Sequence, residues 1–366
     1  MRTFLAVPIA ACLALPAQAI EVGKGVDFPD SAMKQRASLP ARPGPDGVVW
    51  ESGASEPVAA DFQALLFRGR ASRPGIVFEA AVRSGPDWGP WTAAQGERSP
   101  SGRFWAKAAA SGRKGDRVRL RALFMGEGPP GWVEFFGLDA SAMEDEGGAA
   151  AAPRFAPASA AAAAGAWPKP GILPRSAWGA QPARKPYEPM PADRITVHHT
   201  ESGRILDREE AADELLSIQS FHQRGRGWVD IGYHFIIDGA GRIWEGRPLA
   251  VIGAHVRDRN EGNLGISLMG DFHKPQRQKP TAAQLESLTA LARWLASAYG
   301  IPAERILGHR DQDQTTCPGD NLYSRLGELR QAVAAPPAPL LARAKVESMP
   351  MFELDGQRLQ AMFDSP

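Results

Sequence analysis

Apolar side chains recur at every second position through much of the first half of the chain, from about residue 47 to residue 138. Residues 117–122 alternate polar with apolar side chains, and β-favouring runs at 62–67, 76–82 and 132–136 are separated by Gly, Pro, Asp and Ser. A period of two is typical of strands with one buried face. Many short strands joined by turns favour an antiparallel β-sandwich, so we predict an all-β, sandwich-like domain here.

The second half alternates strand-like and helix-like patterns. The predicted elements are strands at 194–197, 232–238, 242–245 and 264–269, and helices at 208–223 and 322–334. Thr281 and Gln284 have the spacing of a capping box, and the leucine-rich helix that they begin ends at Gly300. This order predicts an α/β (α+β) domain in which helices flank a central mixed β-sheet.

The start of the chain has the form of a secretory signal. A basic residue and an apolar run precede Ala-Gln-Ala at 17–19, so we predict a signal peptide at 1–19 that is removed before Ile20. A lipoprotein signal at Cys12 is the alternative, but the apolar stretch before that cysteine is very short. We therefore expect export, either to the periplasm or outside the cell.

Composition divides the rest of the chain into four parts. Residues 143–170 are rich in Ala, Gly and Pro, which favours a solvated linker. This linker separates a β-sandwich-like accessory domain at 20–142 from the α/β domain at 171–335, and a tail follows at 336–366. With 366 residues, the chain exceeds the usual size of one compact domain.

The charge balance does not favour a polyanionic partner. Lys plus Arg (42) nearly equals Asp plus Glu (41), so nothing in the net charge favours nucleic acid or an anionic membrane surface. After the predicted signal, no apolar run is long enough to span a bilayer. We expect a soluble, exported monomer without an integral membrane segment.

The residues that favour metal chemistry are concentrated in the second half, which holds all seven histidines. His309 and Cys317 lie eight residues apart, and the pair His198-His199 lies upstream. Zinc prefers imidazole nitrogen and thiolate sulfur, and three protein ligands leave one position open for a reactive water. Because Cys12 falls in the signal, the mature chain keeps one thiol, which has no disulfide partner in an oxidising compartment. The pattern predicts Zn²⁺ and hydrolysis.

Eight short blocks in the second half resemble the peptidoglycan recognition protein family, whose fold is shared by the zinc N-acetylmuramoyl-L-alanine amidases of the phage T7 lysozyme type. The resemblance covers about 171–335 and does not extend to the β-rich half. In order, the blocks are ILPRSAWGA (172–180), VHHT (197–200), DIGYHF (230–235), EGR (245–247), GAH (253–255), GIS (265–267), MGDF (269–272) and GHRD (308–311).

The resemblance implies a catalytic zinc site. Members that hydrolyse peptidoglycan have histidine at the first position of the VHHT block, and members that only bind it commonly lose that ligand or the later cysteine. Here the implied ligands His198, His309 and Cys317 are all present. The implied reaction is hydrolysis of the amide between the lactyl group of N-acetylmuramic acid and L-alanine. Tyr233 matches the active-site tyrosine, and Thr315 matches a position that is threonine in animal amidases and lysine in the phage enzyme.

The resemblance also implies a groove for the muramyl peptide. His199, His222 and His255 match positions that contact this ligand, and Gly227-Trp228 matches a pair that accompanies peptides with meso-diaminopimelate. His273 is expected at the surface, and no residue is assigned as the general base.

Two other classes of function stay open. One is a non-catalytic peptidoglycan-binding protein, which would bind without releasing L-alanine amino termini. The other is a structural exported protein whose β-rich domain is the main functional part.

Overall fold

The computed structural model describes residues 20–26, 28, 36–42, 46–124, 126–144, 167–273 and 278–336. The predicted signal peptide at 1–19, most of the predicted linker (145–166) and the tail from 337 lie outside these residues. We call residues 20–144 the β-rich half and residues 167–336 the α/β half. The exact domain boundaries remain predictions.

The β-rich half forms one antiparallel sheet that folds over on itself. Its hydrogen-bonded order is β1-β10-β4-β8-β7-β5-β9-β3, with β2 beside β10 and β6 beside β5. The strands are β1 (Ile20–Gly25), β2 (Ala37–Leu39), β3 (Val48–Glu51), β4 (Ala64–Ala71), β5 (Val77–Ser84), β6 (Asp87–Trp88), β7 (Thr92–Arg98), β8 (Arg103–Ala108), β9 (Arg117–Leu123) and β10 (Gly131–Glu144).

The core of this half explains the period of two in the sequence. Along β9, Val118, Leu120 and Ala122 are buried while their neighbours are partly exposed. Phe78 on β5 stacks on Phe104 of β8 with the ring centroids 4.4 Å apart. The all-β prediction is thus confirmed for the described residues. The two packed layers are not separate sheets, however, because β5 also pairs with β7 and joins them.

The α/β half contains a six-stranded mixed sheet in the order β11-β14-β13-β15-β12-β16. Strands β12, β13, β15 and β16 run parallel, and β14 is antiparallel to β13. The elements are β11 (Ile172–Leu173), β12 (Arg194–His199), α1 (Arg208–Ser220), β13 (Phe235–Ile237), β14 (Ile243–Glu245), β15 (Asn263–Leu268), α2 (Ala282–Tyr299), β16 (Ile306–Gly308), α3 (Asp320–Tyr323) and α4 (Leu326–Ala334).

The predicted mixed sheet with flanking helices is confirmed. Thr281 and Gln284 form the capping box of α2, and Gly300 ends the helix in the left-handed conformation. Two helix predictions need correction. Helix α1 ends at Ser220, and a π-helical turn, Phe221–Gly225, continues it. The predicted helix at 322–334 is split into α3 and α4, because a turn interrupts it.

The β-rich half packs against α1 and the π-helical turn. Arg103 of β8 pairs with Glu214 of α1, and the two side chains are only 3% and 4% exposed. Trp105 packs with Leu66 and Phe221, and its indole Nε1 donates a hydrogen bond to Ser220 Oγ at 2.8 Å. This interface is both apolar and charged. Among the described residues, none of the helices has the length and apolar character that a membrane span requires.

Candidate metal centre

The structure brings three of the predicted residues together at the carboxyl ends of parallel strands. In the β12–β16 register Val197 lies opposite Gly308, so His198 and His309 follow at adjacent strand ends. Cys317 returns to them in the loop that precedes α3. One potential ligand atom from each of the three residues lies within 4.8 Å of the others.

A chain of hydrogen bonds fixes the tautomer of His198. His255 Nε2 donates to the carbonyl oxygen of Asn263 at 3.0 Å, so the Nδ1 atom of neutral His255 is an acceptor. His198 Nε2 lies 3.0 Å from that Nδ1 atom and therefore carries the proton. The Nδ1 atom of His198 is then unprotonated, and it lies 3.7 Å from Cys317 Sγ. Such a partner behind an imidazole is typical of metal-ligating histidines.

The other two donors also fit a metal ion. The buried Nε2 atom of His309 has no hydrogen-bond partner among the described residues. Cys317 is buried and forms no disulfide, and the nearby backbone N–H of His199 favours its thiolate form by lowering its pKa. Two imidazoles and one thiol are a donor set that suits Zn²⁺ with one open position.

Burial sets the protonation states at this centre. Burial lowers the pKa of His198 well below its usual value of 6.5, and the neighbouring His309 lowers it further. Burial lowers the pKa of His309 to about 4. It also raises the pKa of the Cys317 thiol. The imidazoles are therefore neutral and ready to bind, whereas the thiol must lose its proton when a metal binds.

Tyr233 lies beside the three potential ligands. Its ring centroid is 5.2 Å from that of His198, and burial raises the pKa of its phenol to about 12. The hydroxyl is thus protonated at neutral pH and can donate a hydrogen bond. Thr315 is placed differently: its Oγ1 atom accepts the Cys317 backbone N–H at 3.2 Å and supports the loop that carries the cysteine.

His222, Gly227 and Trp228, which the family resemblance assigns to the peptide groove, lie close together. His222 stacks on Trp228 with the centroids 4.6 Å apart, and its Nδ1 atom accepts the Gly232 N–H at 3.1 Å. Gly227 has a φ of 76°, a conformation that favours glycine. His255 was expected in the groove, but the structure places it behind His198. Both of its ring nitrogens are engaged there, so neither is left for a substrate hydrogen bond.

The sequence profile of the N-acetylmuramoyl-L-alanine amidase family matches residues 188–320. Peptidoglycan-recognition protein LB of Drosophila melanogaster is 36% identical over 159 residues, which are 42% of this chain and 67% of that protein. The chain belongs to the peptidoglycan recognition protein family.

Two further comparisons concern members of this family and its amidases. The N-acetylmuramoyl-L-alanine amidase of Sus scrofa is 35% identical over 163 residues, which are 43% of this chain but only 27% of that protein. The match therefore spans about a quarter of the length of the mammalian enzyme. The solved structure of wild-type Drosophila PGRP-LB is 35% identical, covers 43% of this chain and 92% of that one, and has a TM-score of 0.40.

This chain has a second cluster of potential ligands, formed by His199, Glu201 and His273, whose atoms also lie within 4.8 Å of one another. The Phe272 backbone N–H donates to His199 Nδ1 at 3.3 Å, so the neutral ring carries its proton on Nε2. That nitrogen faces Glu201 Oε1 at 3.5 Å. The Nε2 atom of His199 thus directs a proton, and not a lone pair, towards the carboxylate of Glu201.

His273 is part of a hydrogen-bonded network, although the sequence predicted a simple surface residue. Its Nδ1 atom lies 2.7 Å from Asp271 Oδ1, and its Nε2 atom lies 2.6 Å from Thr316 Oγ1. The sequence signals for this network were an aspartate two residues before His273 and a glutamate directly after His-His-Thr. Neither is specific without the fold, which brings these segments together.

Proposed function

We propose that the protein is a zinc-dependent N-acetylmuramoyl-L-alanine amidase. Its reaction is hydrolysis of the amide that joins the lactyl group of N-acetylmuramic acid to L-alanine in peptidoglycan. The observation that carries this proposal is the centre of His198, His309 and Cys317, in which the Nδ1 atom of His198 is held unprotonated near the cysteine sulfur. Family membership supports the same substrate class.

The three residues would hold the zinc ion through two neutral imidazoles and a thiolate. When bound, Zn²⁺ supplies an electrophile that polarises a carbonyl group and activates water for attack. His255 keeps the His198 ring in the tautomer and orientation that the ion requires. Thr315 keeps the Cys317 loop in place by accepting its backbone N–H.

Tyr233 is the residue that we assign to charge stabilisation. When water attacks the lactyl carbonyl carbon, the carbonyl oxygen gains negative charge. The C–N bond then breaks, and the stem peptide leaves with the L-alanine nitrogen as a free amine. The Tyr233 hydroxyl stays protonated because burial raises its pKa to about 12. It can therefore donate a hydrogen bond to this oxygen. The Thr315 hydroxyl is a second candidate donor, since it uses its oxygen as an acceptor and retains its proton.

The groove beside the centre is proposed to bind the muramyl peptide. The residues proposed for it are His199, His222 and Trp228, of which His222 stacks on Trp228, and Gly227 lets the chain turn tightly before Trp228. The Gly227-Trp228 pair, which in animal members of the family accompanies meso-diaminopimelate rather than lysine, supports a preference for meso-diaminopimelate peptides. The proposed partner is peptidoglycan or its muropeptides, and the proposed location is the periplasm or the outside of the cell.

The test is digestion of purified sacculi by the mature protein, with release of free L-alanine amino termini as the readout. We expect release that a chelator abolishes and added zinc restores, and no release by Cys317→Ala. Binding to sacculi without release, even with zinc supplied, would instead support the non-catalytic recognition protein.

A further inference from the structure

Arg68 of the β-rich half reaches across to the turn that follows β12. Its Nη1 atom donates a hydrogen bond to the carbonyl oxygen of Thr200 at 2.7 Å, and its Nη2 atom lies 3.5 Å from Glu201 Oε2. Thr200 directly follows His198 and His199 at the end of that strand. A single side chain from the other half therefore contacts two successive residues beside the candidate metal centre.

The contacted turn has an unfavourable backbone conformation. Glu201 has a φ of 55°, in the left-handed region that side-chain-bearing residues rarely adopt. A residue in this conformation is strained and persists only where the surroundings fix it. Within the α/β half, the backbone N–H of Thr200 donates a hydrogen bond to the carbonyl oxygen of Leu268 at 3.0 Å. The Oγ1 atom of Thr200 accepts a hydrogen bond from the Gly270 N–H at 3.2 Å. Arg68 holds the other side of the turn.

The position of Arg68 also brings its charge near His222. Its guanidinium carbon is 5.7 Å from the ring centroid of Phe221, the residue before His222. Burial is the main reason that the pKa of His222 is well below 6.5, and Arg226 and Arg68 lower it further. Arg68 thus contacts the Thr200–Glu201 turn and also lies near the Phe221–His222 segment.

We propose that Arg68 is a positioning residue of the metal centre: by fixing the Thr200–Glu201 turn, it fixes the end of β12 that carries His198. The β-rich half is then a structural part of the active site and not only an accessory domain on a linker. This inference rests on the proposed amidase function for its effect on rate, but not for its effect on metal binding.

Arg70 provides a matched control on the same face of β4. Its Nη1 atom lies 2.8 Å from Glu210 Oε1 of α1, and its side chain is 29% exposed, against 24% for Arg68. Each arginine pairs with one carboxylate across the same interface. Only Arg68 contacts the turn, so Arg68→Met and Arg70→Met should weaken the interface similarly but affect the centre differently.

The experiment uses the full mature protein. Zinc affinity is measured by competition with a chromophoric chelator, and the thiolate-to-metal absorption band is recorded after Co²⁺ substitution. Values of kcat and KM are measured with a muropeptide. For Arg68→Met we expect zinc affinity and kcat each to fall about 10-fold, as for residues that orient metal ligands, with KM changed less than about 2-fold. Arg70→Met should match the wild type, and Arg68→Lys should lie between them.

Two results would overturn the proposal. If Arg68→Met has the zinc affinity, cobalt spectrum and kcat of Arg70→Met, Arg68 does not position the centre. If only KM rises, Arg68 binds substrate instead. Should Arg68→Met fail to fold, Arg68→Lys keeps the positive charge but loses the forked contact with Thr200 and Glu201, and it should still bind zinc more weakly than Arg70→Met. Zinc affinity equal to that of Arg70→Met would overturn the proposal. If the wild type releases no L-alanine termini, the amidase proposal fails, while zinc affinity and the cobalt band still decide the role of Arg68.

Discussion

Two clusters of potential metal ligands lie at the end of β12, and they differ in one respect that decides their chemistry. His198, His309 and Cys317 form the first, and His199, Glu201 and His273 form the second; in each, the ligand atoms lie within 4.8 Å of one another. His198 and His199 are consecutive in a strand, so their side chains point to opposite faces. Proximity alone does not distinguish the clusters.

The hydrogen bonds distinguish them. In the first cluster, His255 accepts the proton of His198 Nε2 and leaves the Nδ1 lone pair facing Cys317. In the second, the Phe272 N–H occupies the Nδ1 lone pair of His199, and the remaining nitrogen carries a proton. The hydrogen-bond partner behind each imidazole, an acceptor for His198 and a donor for His199, therefore determines which cluster can bind zinc.

Removal of a proposed ligand should have the largest effect. Because residues behind zinc ligands already contribute about 10–100-fold, Cys317→Ala should retain less than about 1% of the wild-type rate. The measurement is L-alanine release from sacculi with zinc supplied. A variant of the second cluster, His273→Gln, serves as the control, and equal losses in both variants would remove the distinction between the clusters.

Tyr233→Phe should lower kcat by about 100- to 1,000-fold, the usual effect of losing one hydrogen-bond donor to a developing oxyanion. The hydroxyl does not take part in the hydrogen bonds that fix His198, so zinc affinity should stay at the wild-type value. Steady-state kinetics and chelator competition measure the two quantities. Loss of zinc in this variant would contradict the assigned role.

His255→Leu should lower zinc affinity by about 10–100-fold, because it removes the Nδ1 acceptor that fixes the His198 tautomer. His234→Leu is a matched control: His234 is also buried, and its ring nitrogens hydrogen-bond to the Val251 carbonyl oxygen and the Gly265 N–H instead of to a ligand residue. Unchanged zinc affinity in the His255 variant would argue against the hydrogen-bond chain described above.

The metal-free protein should lose stability as the pH falls. Burial lowers the pKa of His234 from 6.5 to about 4, so the unfolded chain binds more protons than the folded chain between these values. The free energy of unfolding therefore falls as the pH decreases, by up to ~1.4 kcal/mol per pH unit for this histidine. Denaturant unfolding of the chelated protein from pH 7.5 to 4.5 tests this, and His234→Gln should show a shallower slope.

Much of the fold could be predicted because local patterns determine it. The period of two gave the strands of the β-rich half, and the Thr281–Gln284 box marked the start of α2. The break between α3 and α4 was missed, because the apolar pattern continues across it. The packing of β4 and β8 against α1 was also missed, since it depends on contacts between residues more than a hundred positions apart, such as Arg70 and Glu210.

The candidate site was predicted in part for similar reasons. His309 and Cys317 were identified by residue type and spacing, and the family resemblance selected His198. The position of His255 behind His198 could not be predicted, because it requires the β12–β15 register and the carbonyl group of Asn263. The network of Asp271, His273 and Thr316 depends on a loop returning to the end of β12, which no local pattern encodes.

The most direct test of the account is the zinc content of three proteins: the wild type, Cys317→Ala and His273→Gln. After dialysis against zinc and removal of excess metal, elemental analysis gives the number of zinc ions per chain. We expect one zinc in the wild type, none in Cys317→Ala and one in His273→Gln. Two zinc ions in the wild type, or loss of zinc from His273→Gln, would contradict it.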